Sequence, residues 1–192
     1  MRYPAVQFYN GDLRADDSVV GHRLCDIPGV HEDELTTKAV RFIDTSGSGF
    51  EEEREAGGSS LANPEEAALA IKKAKDLIAL GVPGEDIAVV SPYTAQVRIL
   101  CEMMEGDVVE IGSIDGFQGR EKEVVIVSLV RCNQDHEIGF LRDTRRMNVA
   151  LTRARRKLIV IGDSATIAEH PFYSGLLEHF DAIDAYHGVW DE

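Results

Sequence analysis

Three stretches of this chain bring together side chains with chemistry to offer. The first is Ser113-Ile114-Asp115-Gly116-Phe117-Gln118-Gly119-Arg120-Glu121, set between two apolar runs. Its expected form is a tight turn at a strand's carboxyl end. Gly116 and Gly119 allow φ > 0 and let a ligand approach the main chain closely. Successive N–H groups in such a turn form a nest for an anion. Gln118 is both donor and acceptor, and the Glu121 carboxylate can accept hydrogen bonds from sugar hydroxyls. The same spacing also fits an ordinary glycine-containing connection.

The second stretch is basic. A helix is predicted over Arg145 to Ala154, with Met147, Ala150, Leu151 and Ala154 as its apolar stripe. Arg146 and Arg153 stand seven apart, so a continuous helix puts them on one face, about 10.5 Å from each other. Paired guanidinium forks suit phosphate oxygens, and an arginine that reaches a γ-phosphate stabilises the charge developed in phosphoryl transfer. A solvated basic face is the other reading of this pattern. The third stretch, Ser91-Pro92-Tyr93-Thr94-Ala95-Gln96, follows an apolar strand and opens a helix. Its hydroxyl and amide groups suit contacts to a phosphate backbone, or Ser91 or Thr94 simply caps the helix.

Several chemistries are missing. There is no GxxxxGK phosphate loop, no acidic pair placed after a strand to hold magnesium, no HExxH and no GxSxG. Cys25, Cys101 and Cys132 are scattered and the six histidines dispersed, so no metal site is expected. Lone cysteines and the lack of an apolar leader at Met1-Arg2-Tyr3-Pro4 fit a reducing, cytoplasmic setting. No apolar run approaches the ~20 residues that span a bilayer, so no membrane partner is expected. The net charge of −14 argues against nucleic acid until its distribution is read. Leu141 to Lys157 carries +6, which leaves −20 elsewhere, for instance in the acidic surface run Glu51-Glu52-Glu53-Arg54-Glu55.

The 192 residues suffice for one core, and a single domain over 1–192 is expected. Residues 1–35 show no clear period and read as irregular, with Val6 to Tyr9 and Ser18 to Val20 as short strands or loop. Residues 45–60, rich in Gly, Ser and Glu, read as a flexible loop. Strands are predicted over Ala39–Asp44, Ile87–Val90, Val108–Ile114, Val124–Val130 and Leu158–Ile161. Asn63 as N-cap, Pro64 at the first helical position and Gly81 as terminator bound a first helix. A second helix is expected over Thr94–Met104, and two short ones lie near Ala165 and over Phe172–Phe180. Strands alternating with helices predict an α/β fold with a mostly parallel central sheet and helices on both faces, with ligands at the carboxyl ends of its strands.

Taken in order, the strings resemble a known set. SPYTAQV is similar to helicase motif IV, SIDGFQGREKEVVIVS to motif V, and RRMNVALTRARRKLIVIGD to motif VI. Ser60-x-x-Asn63-x-x-Glu66-Ala67 and Phe8-Tyr9-Asn10-Gly11-Asp12-Leu13 match two further signatures. The chain thus resembles the second, C-terminal RecA-like domain of superfamily 1B helicases, the group of the nonsense-mediated-decay, immunoglobulin mu-binding and Dna-two-type enzymes. The resemblance covers nearly the whole chain.

That resemblance implies a RecA-like P-loop NTPase fold and half of an ATP site. Arg153 is implied as the arginine finger, Gly119 as a backbone approach to the γ-phosphate, Glu121 as a sugar contact, and Arg146 as a nucleotide-side coupling residue. Ser113, Gln118, Tyr93 and Gln96 are implied to face single-stranded DNA or RNA. The first RecA-like domain of the same polypeptide would complete the site, bring the phosphate loop and hold most of the Mg2+. The chain alone is therefore expected to be inactive, and movement in the parent enzyme to run 5′ to 3′. Two other readings stay open: a stand-alone nucleic-acid-binding module that has lost the motor, and a plain nucleotide-binding or regulatory α/β domain.

Overall fold

A computed structural model describes residues 2–12, 14, 16–55, 57–104, 106 and 108–192, with only the backbone of Arg2. Leu13, the last residue of the Phe8–Leu13 signature, lies outside the described residues. The chain begins with α1 (Arg2–Tyr9) and α2 (Glu34–Thr37), followed by strand β1 (Val40–Asp44). A two-residue antiparallel pair, β2 (Glu53–Arg54) and β3 (Leu61–Ala62), precedes α3 (Pro64–Ala79), β4 (Ile87–Ser91), α4 (Thr94–Met103) and β5 (Glu110–Ser113). Then come β6 (Lys122–Ser128), α5 (Thr144–Leu151), β7 (Ala154–Gly162), α6 (Ser164–Ile167), α7 (Pro171–Ala182) and β8 (Tyr186–Gly188).

Six strands form one sheet in the order β5-β4-β6-β7-β1-β8, and every pairing is parallel. The sheet is the expected α/β architecture, parallel throughout rather than mostly. Alternate residues of each strand point to opposite faces. Ile43, Ile87, Val89, Val124, Ile126, Ile159 and Ile161 pack under α3 and α4. Phe42, Ala88, Val90, Val125, Val127 and Val160 pack on the other face with residues of α1, α5 and α7. Both faces are covered, so the central strands are apolar throughout and VVIVS of β6 is fully buried from Val124 onward.

The helix signals read from sequence hold for α3. The Asn63 side chain accepts the Glu66 N–H at 2.9 Å, and Pro64 opens the helix. Gly81 follows its end at φ +95, where a Cβ would stand 2.2 Å from the Gly29 carbonyl oxygen, so only glycine fits.

Two expectations are corrected. The first segment is not irregular throughout: Val6 to Tyr9 belong to α1, whose Tyr3 and Ala5 are buried, with Tyr3 and Phe8 packed on Phe172 of α7. Ser18 to Val20 form a turn in which Val19 and Val20 donate to the Asp16 carbonyl. Within 45–60, the Glu52 carboxylate accepts from Cys132 N–H and the Asn133 amide, in the segment that follows β6.

The second correction bears on the site. The basic helix ends at Leu151, three residues early, and β7 starts at Ala154, four residues before the expected strand. Pairing with β6 explains both, because Lys122 and Ala154 are register partners and Lys122 N–H donates to the Arg153 carbonyl. The sheet's hydrogen bonds outcompete the helical propensity of the Ala-Arg-Arg-Lys run. Arg146 and Arg153 therefore do not share a helix face.

Candidate functional site

The strands are parallel, so the link from β5 to β6 must run from the carboxyl edge of the sheet back to its amino edge. Ile114 to Glu121 makes that crossing. Ile114 and Phe117 bury their side chains on the α5 and α7 side and anchor the segment. Gly119 is exposed at φ +80, and the space where a Cβ would stand is empty to 4 Å. Its turn is held by Arg120 N–H donating to the Phe117 carbonyl, while the Arg120 guanidinium lies over the Phe117 ring, 5.4 Å from its centroid.

Arg153 meets that turn. It sits in the two-residue break between α5 and β7, half-buried. Its Nε donates to the Val149 carbonyl at 3.1 Å, one Nη to Thr152 Oγ1 at 3.1 Å, and the other to the Arg120 carbonyl at 3.5 Å. Thr152 in turn donates its hydroxyl to the Asn148 carbonyl at 2.8 Å. Arg153 and the Gly119–Glu121 backbone thus share one corner, at the amino ends of β6 and β7. The expected general location, the carboxyl edge, does not hold for these residues, because both precede the strands they introduce. Glu121 is exposed there and its carboxylate pairs with Arg155 at 2.5 Å.

Arg146 lies elsewhere. It stands in the first turn of α5, with Nε 3.1 Å from Asp115 and 3.6 Å from Asp143. That places it beside the start of the crossing, near Ser113, and at the other end of α5 from Arg153. Ser113 is half-buried and its hydroxyl accepts the Gly116 N–H at 3.1 Å. Gln118 is exposed on the crossing segment.

Tyr93 and Gln96, expected to face a nucleic-acid strand, turn inward. Tyr93 is 2% exposed and Gln96 fully buried. Gln96 accepts the Asn63 N–H at 2.8 Å and donates to the Asn63 carbonyl at 3.0 Å and to Ser128 Oγ at 2.9 Å. Its amide is saturated, which is what a buried polar group requires. Neither Ser91 nor Thr94 caps α4. Ser60 Oγ does so from 35 residues away, accepting the Ala95 N–H at 3.1 Å.

Glu66 is a buried charge-bearing group that sequence reasoning did not single out for chemistry. It is fully buried, and its carboxylate accepts from Ser128 Oγ at 2.7 Å and from Val130 N–H at 3.0 and 3.1 Å. Burial pushes its titration up to about 7, against the lowering effect of those hydrogen bonds. Val130, which it holds, has φ +73, a region costly for a β-branched side chain. The only signal in the sequence was the Ser60-x-x-Asn63-x-x-Glu66 spacing. All three of its polar residues prove to join α3, α4 and β6.

A six-stranded parallel sheet with this crossing turn and a strand-leading arginine defines a RecA-like α/β domain of the P-loop NTPase class. Residues 1–165 match the family described as AAA domain. The rat "DNA-binding protein SMUBP-2" is 44% identical over 181 residues, 93% of this chain and 18% of that protein. "DNA polymerase alpha-associated DNA helicase A" of Saccharomyces cerevisiae is 40% identical over 85% of this chain and 26% of that protein. "Regulator of nonsense transcripts 1 homolog" of Arabidopsis thaliana is 33% identical over 93% of this chain and 14% of that protein. The chain belongs to the AAA domain family and, within it, to the superfamily 1B helicase group. It spans about a seventh to a quarter of the length of these relatives. Among the described residues no helix is long and apolar enough to cross a membrane.

Proposed function

We propose that this chain is the second motor domain of an ATP-dependent nucleic-acid helicase, and that it supplies the arginine finger to an ATP site completed by a first RecA-like domain. One observation carries the reading: the Arg153 guanidinium reaches the carbonyl of Arg120, next to the open Gly119 turn. A triphosphate end brought to that corner meets a guanidinium and an unobstructed backbone together. Arg153 then exchanges its three bonds to neutral chain oxygens for bonds to anionic γ-phosphate oxygens, in which both partners are charged. The Glu121 carboxylate, now paired with Arg155, is the group suited to a nucleotide sugar hydroxyl.

The residues present do not fit a magnesium ion at this corner. The carboxylates around it are already engaged by cations: Glu121 pairs with Arg155, Glu123 with Arg155 and Arg156, and Glu110 with Arg120 and Lys122. The metal and the phosphate loop belong to the first domain on this reading, and the chain alone does not hydrolyse ATP. Loss of the γ-phosphate releases the arginine and lets the cleft reopen. Single-stranded DNA or RNA is the proposed partner of the carboxyl edge, through Ser113, with Gln118 reaching it from the exposed crossing segment. Tyr93 and Gln96 act there as buried support. Arg146, beside Ser113 and ion-paired with Asp115, fits this strand side better than the nucleotide side.

The test uses the polypeptide that carries both domains. Arg153→Ala should lower ATP turnover by about 10³-fold or more, the range found for arginine fingers, while nucleotide affinity measured with a fluorescent analogue changes far less. Turnover within a few-fold of the unmodified protein would end the assignment.

A further inference from the structure

The carboxyl edge holds an exposed aromatic ring that none of the residues above uses. Phe140 is 55% exposed on the short helical turn Gly139–Arg142, which leads into α5. One side of its ring packs on Tyr93, with centroids 5.3 Å apart, and its N–H donates to the Tyr93 hydroxyl at 3.3 Å. Tyr93 itself is buried, and two residues before it Ser91 ends β4 in register with Ser113. Phe140 therefore stands over the corner of the sheet that the proposed function gives to a nucleic-acid strand.

The ring is held firmly. Leu141, the next residue, is buried, and its carbonyl accepts from the Tyr173 hydroxyl at 2.7 Å. Gly139, before it, has φ +52 and packs so closely that a Cβ would stand 2.2 Å from Arg131 Nη1. A rigid ring with one face on the core and the other in solvent loses little entropy on binding.

Its charged neighbours are unequal. Arg146 is neutralised by Asp115 and Asp143. Arg142 and Arg145 are exposed, and among the described residues neither makes an ion pair. They belong to the one strongly basic window of an otherwise acidic chain. An exposed ring followed within five residues by two unpaired arginines is the composition of a single-strand stacking platform: a base lies on the ring and phosphates meet the guanidiniums. A protein partner fits less well, since one ring is far short of the roughly 800 Å² per side of a standard interface.

We propose that Phe140 is a base-stacking residue of the single-strand path, with Arg142 and Arg145 binding the phosphates beside it. This rests on the reading of the carboxyl edge as the nucleic-acid face. The polypeptide that carries both motor domains is titrated into fluorescein-labelled 12-mers of dT and of U, unmodified and as Phe140→Ala, Phe140→Leu and Phe140→Trp. Loss of the ring should weaken binding about tenfold, the scale of one base–aromatic stack. Leucine, which keeps the packing on Tyr93, should weaken it nearly as much as alanine, and tryptophan should preserve it. Moving one abasic site along the oligomer should reveal a position that matters to the unmodified protein and not to Phe140→Ala. Arg142→Gln with Arg145→Gln should lower the salt dependence of log K by about one to two. If the unmodified protein binds and the Phe140 variants stay within twofold with the abasic profile unchanged, the platform is refuted and the helicase reading survives. If the unmodified protein binds no oligomer, both fall.

Discussion

Replacing Glu66 with glutamine isolates the energetic consequence of the buried cluster at the end of β6. Glu66 is fully buried and its titration is moved from 4.5 to about 7 by that burial. At about 1.4 kcal/mol for each pH unit moved, this amounts to about 3 kcal/mol of preference for the protonated form in the folded chain. The folded-state value lies above the unfolded one, so the sign is fixed. The stabilisation is complete below pH 4.5, drains away as pH rises to about 7, and is gone above that. Other shifted groups act outside this window. Asp44 is held low, because hydrogen bonds from Tyr186, Ser164 and Ser46 outweigh its burial, so its contribution is lost only as pH falls below its ordinary 3.8. Lys157 is pushed down to about 7 by burial and by Arg41, so its contribution grows between about 7 and 10.5. Glutamine keeps an oxygen for Ser128 and for Val130 N–H, which lies 3.0 Å from Oε1, and it cannot ionise. Urea unfolding at pH 5 and pH 7.5 should show the unmodified chain losing about 2 kcal/mol relative to Glu66→Gln, the remainder having gone below pH 5. Parallel profiles for the two proteins would show that the carboxyl is not held protonated by its surroundings, and the account of the cluster would fail.

Two further substitutions test the supports of the carboxyl edge. Ser128→Ala removes the hydroxyl between Gln96 and Glu66 and should cost about 1–3 kcal/mol in urea unfolding; a loss of only a few tenths would mean that water replaces it freely. Gly139→Ala puts a Cβ against Arg131 Nη1 and 2.8 Å from Tyr93 Oη at φ +52, and should destabilise by about 1–3 kcal/mol; an unchanged midpoint would show that this turn is looser than it looks.

Much of the fold was readable because the relevant signals are local. Asn63-Pro64 and Gly81 bracket α3, and an apolar run as continuous as Val124 to Val130 has few homes outside a covered parallel sheet. The misread parts depend on partners distant in sequence. Arg153 looks helical from its neighbours, yet Lys122 draws the following residues into a strand. Tyr93 and Gln96 are polar residues after a strand end, a surface pattern, but Asn63 and Ser128 satisfy the Gln96 amide in the interior. Glu66 reads as an ordinary acid in a helix's first turn, and nothing in its near sequence announces the burial or the Val130 N–H that its side chain accepts. The pairing of Arg153 with the Gly119 turn was legible only through resemblance, since 33 residues separate Arg153 from Arg120.

The two edges are joined by rigid pieces. β6 begins with Lys122, bonded to the Arg153 carbonyl, and ends with Ser128, bonded to Glu66. α5 runs beside it with Arg146 at the Asp115 end and Arg153 just past the other. The strand between them is buried on both faces and paired on both sides, with β4 and β7, so bending it would disturb packing and ladder bonds together. On the proposed reading, a nucleotide therefore cannot alter the grip on a strand by deforming this domain from within. The coupling must come from movement of the whole domain relative to its partner, with Arg153 as the contact that senses the triphosphate and the carboxyl edge carried along as one body. That division of labour requires the amino-edge corner to be open and the carboxyl-edge cluster to be closed, which is how Gly119 and Glu66 differ: one has empty space where a side chain would be, the other has no exposed surface at all.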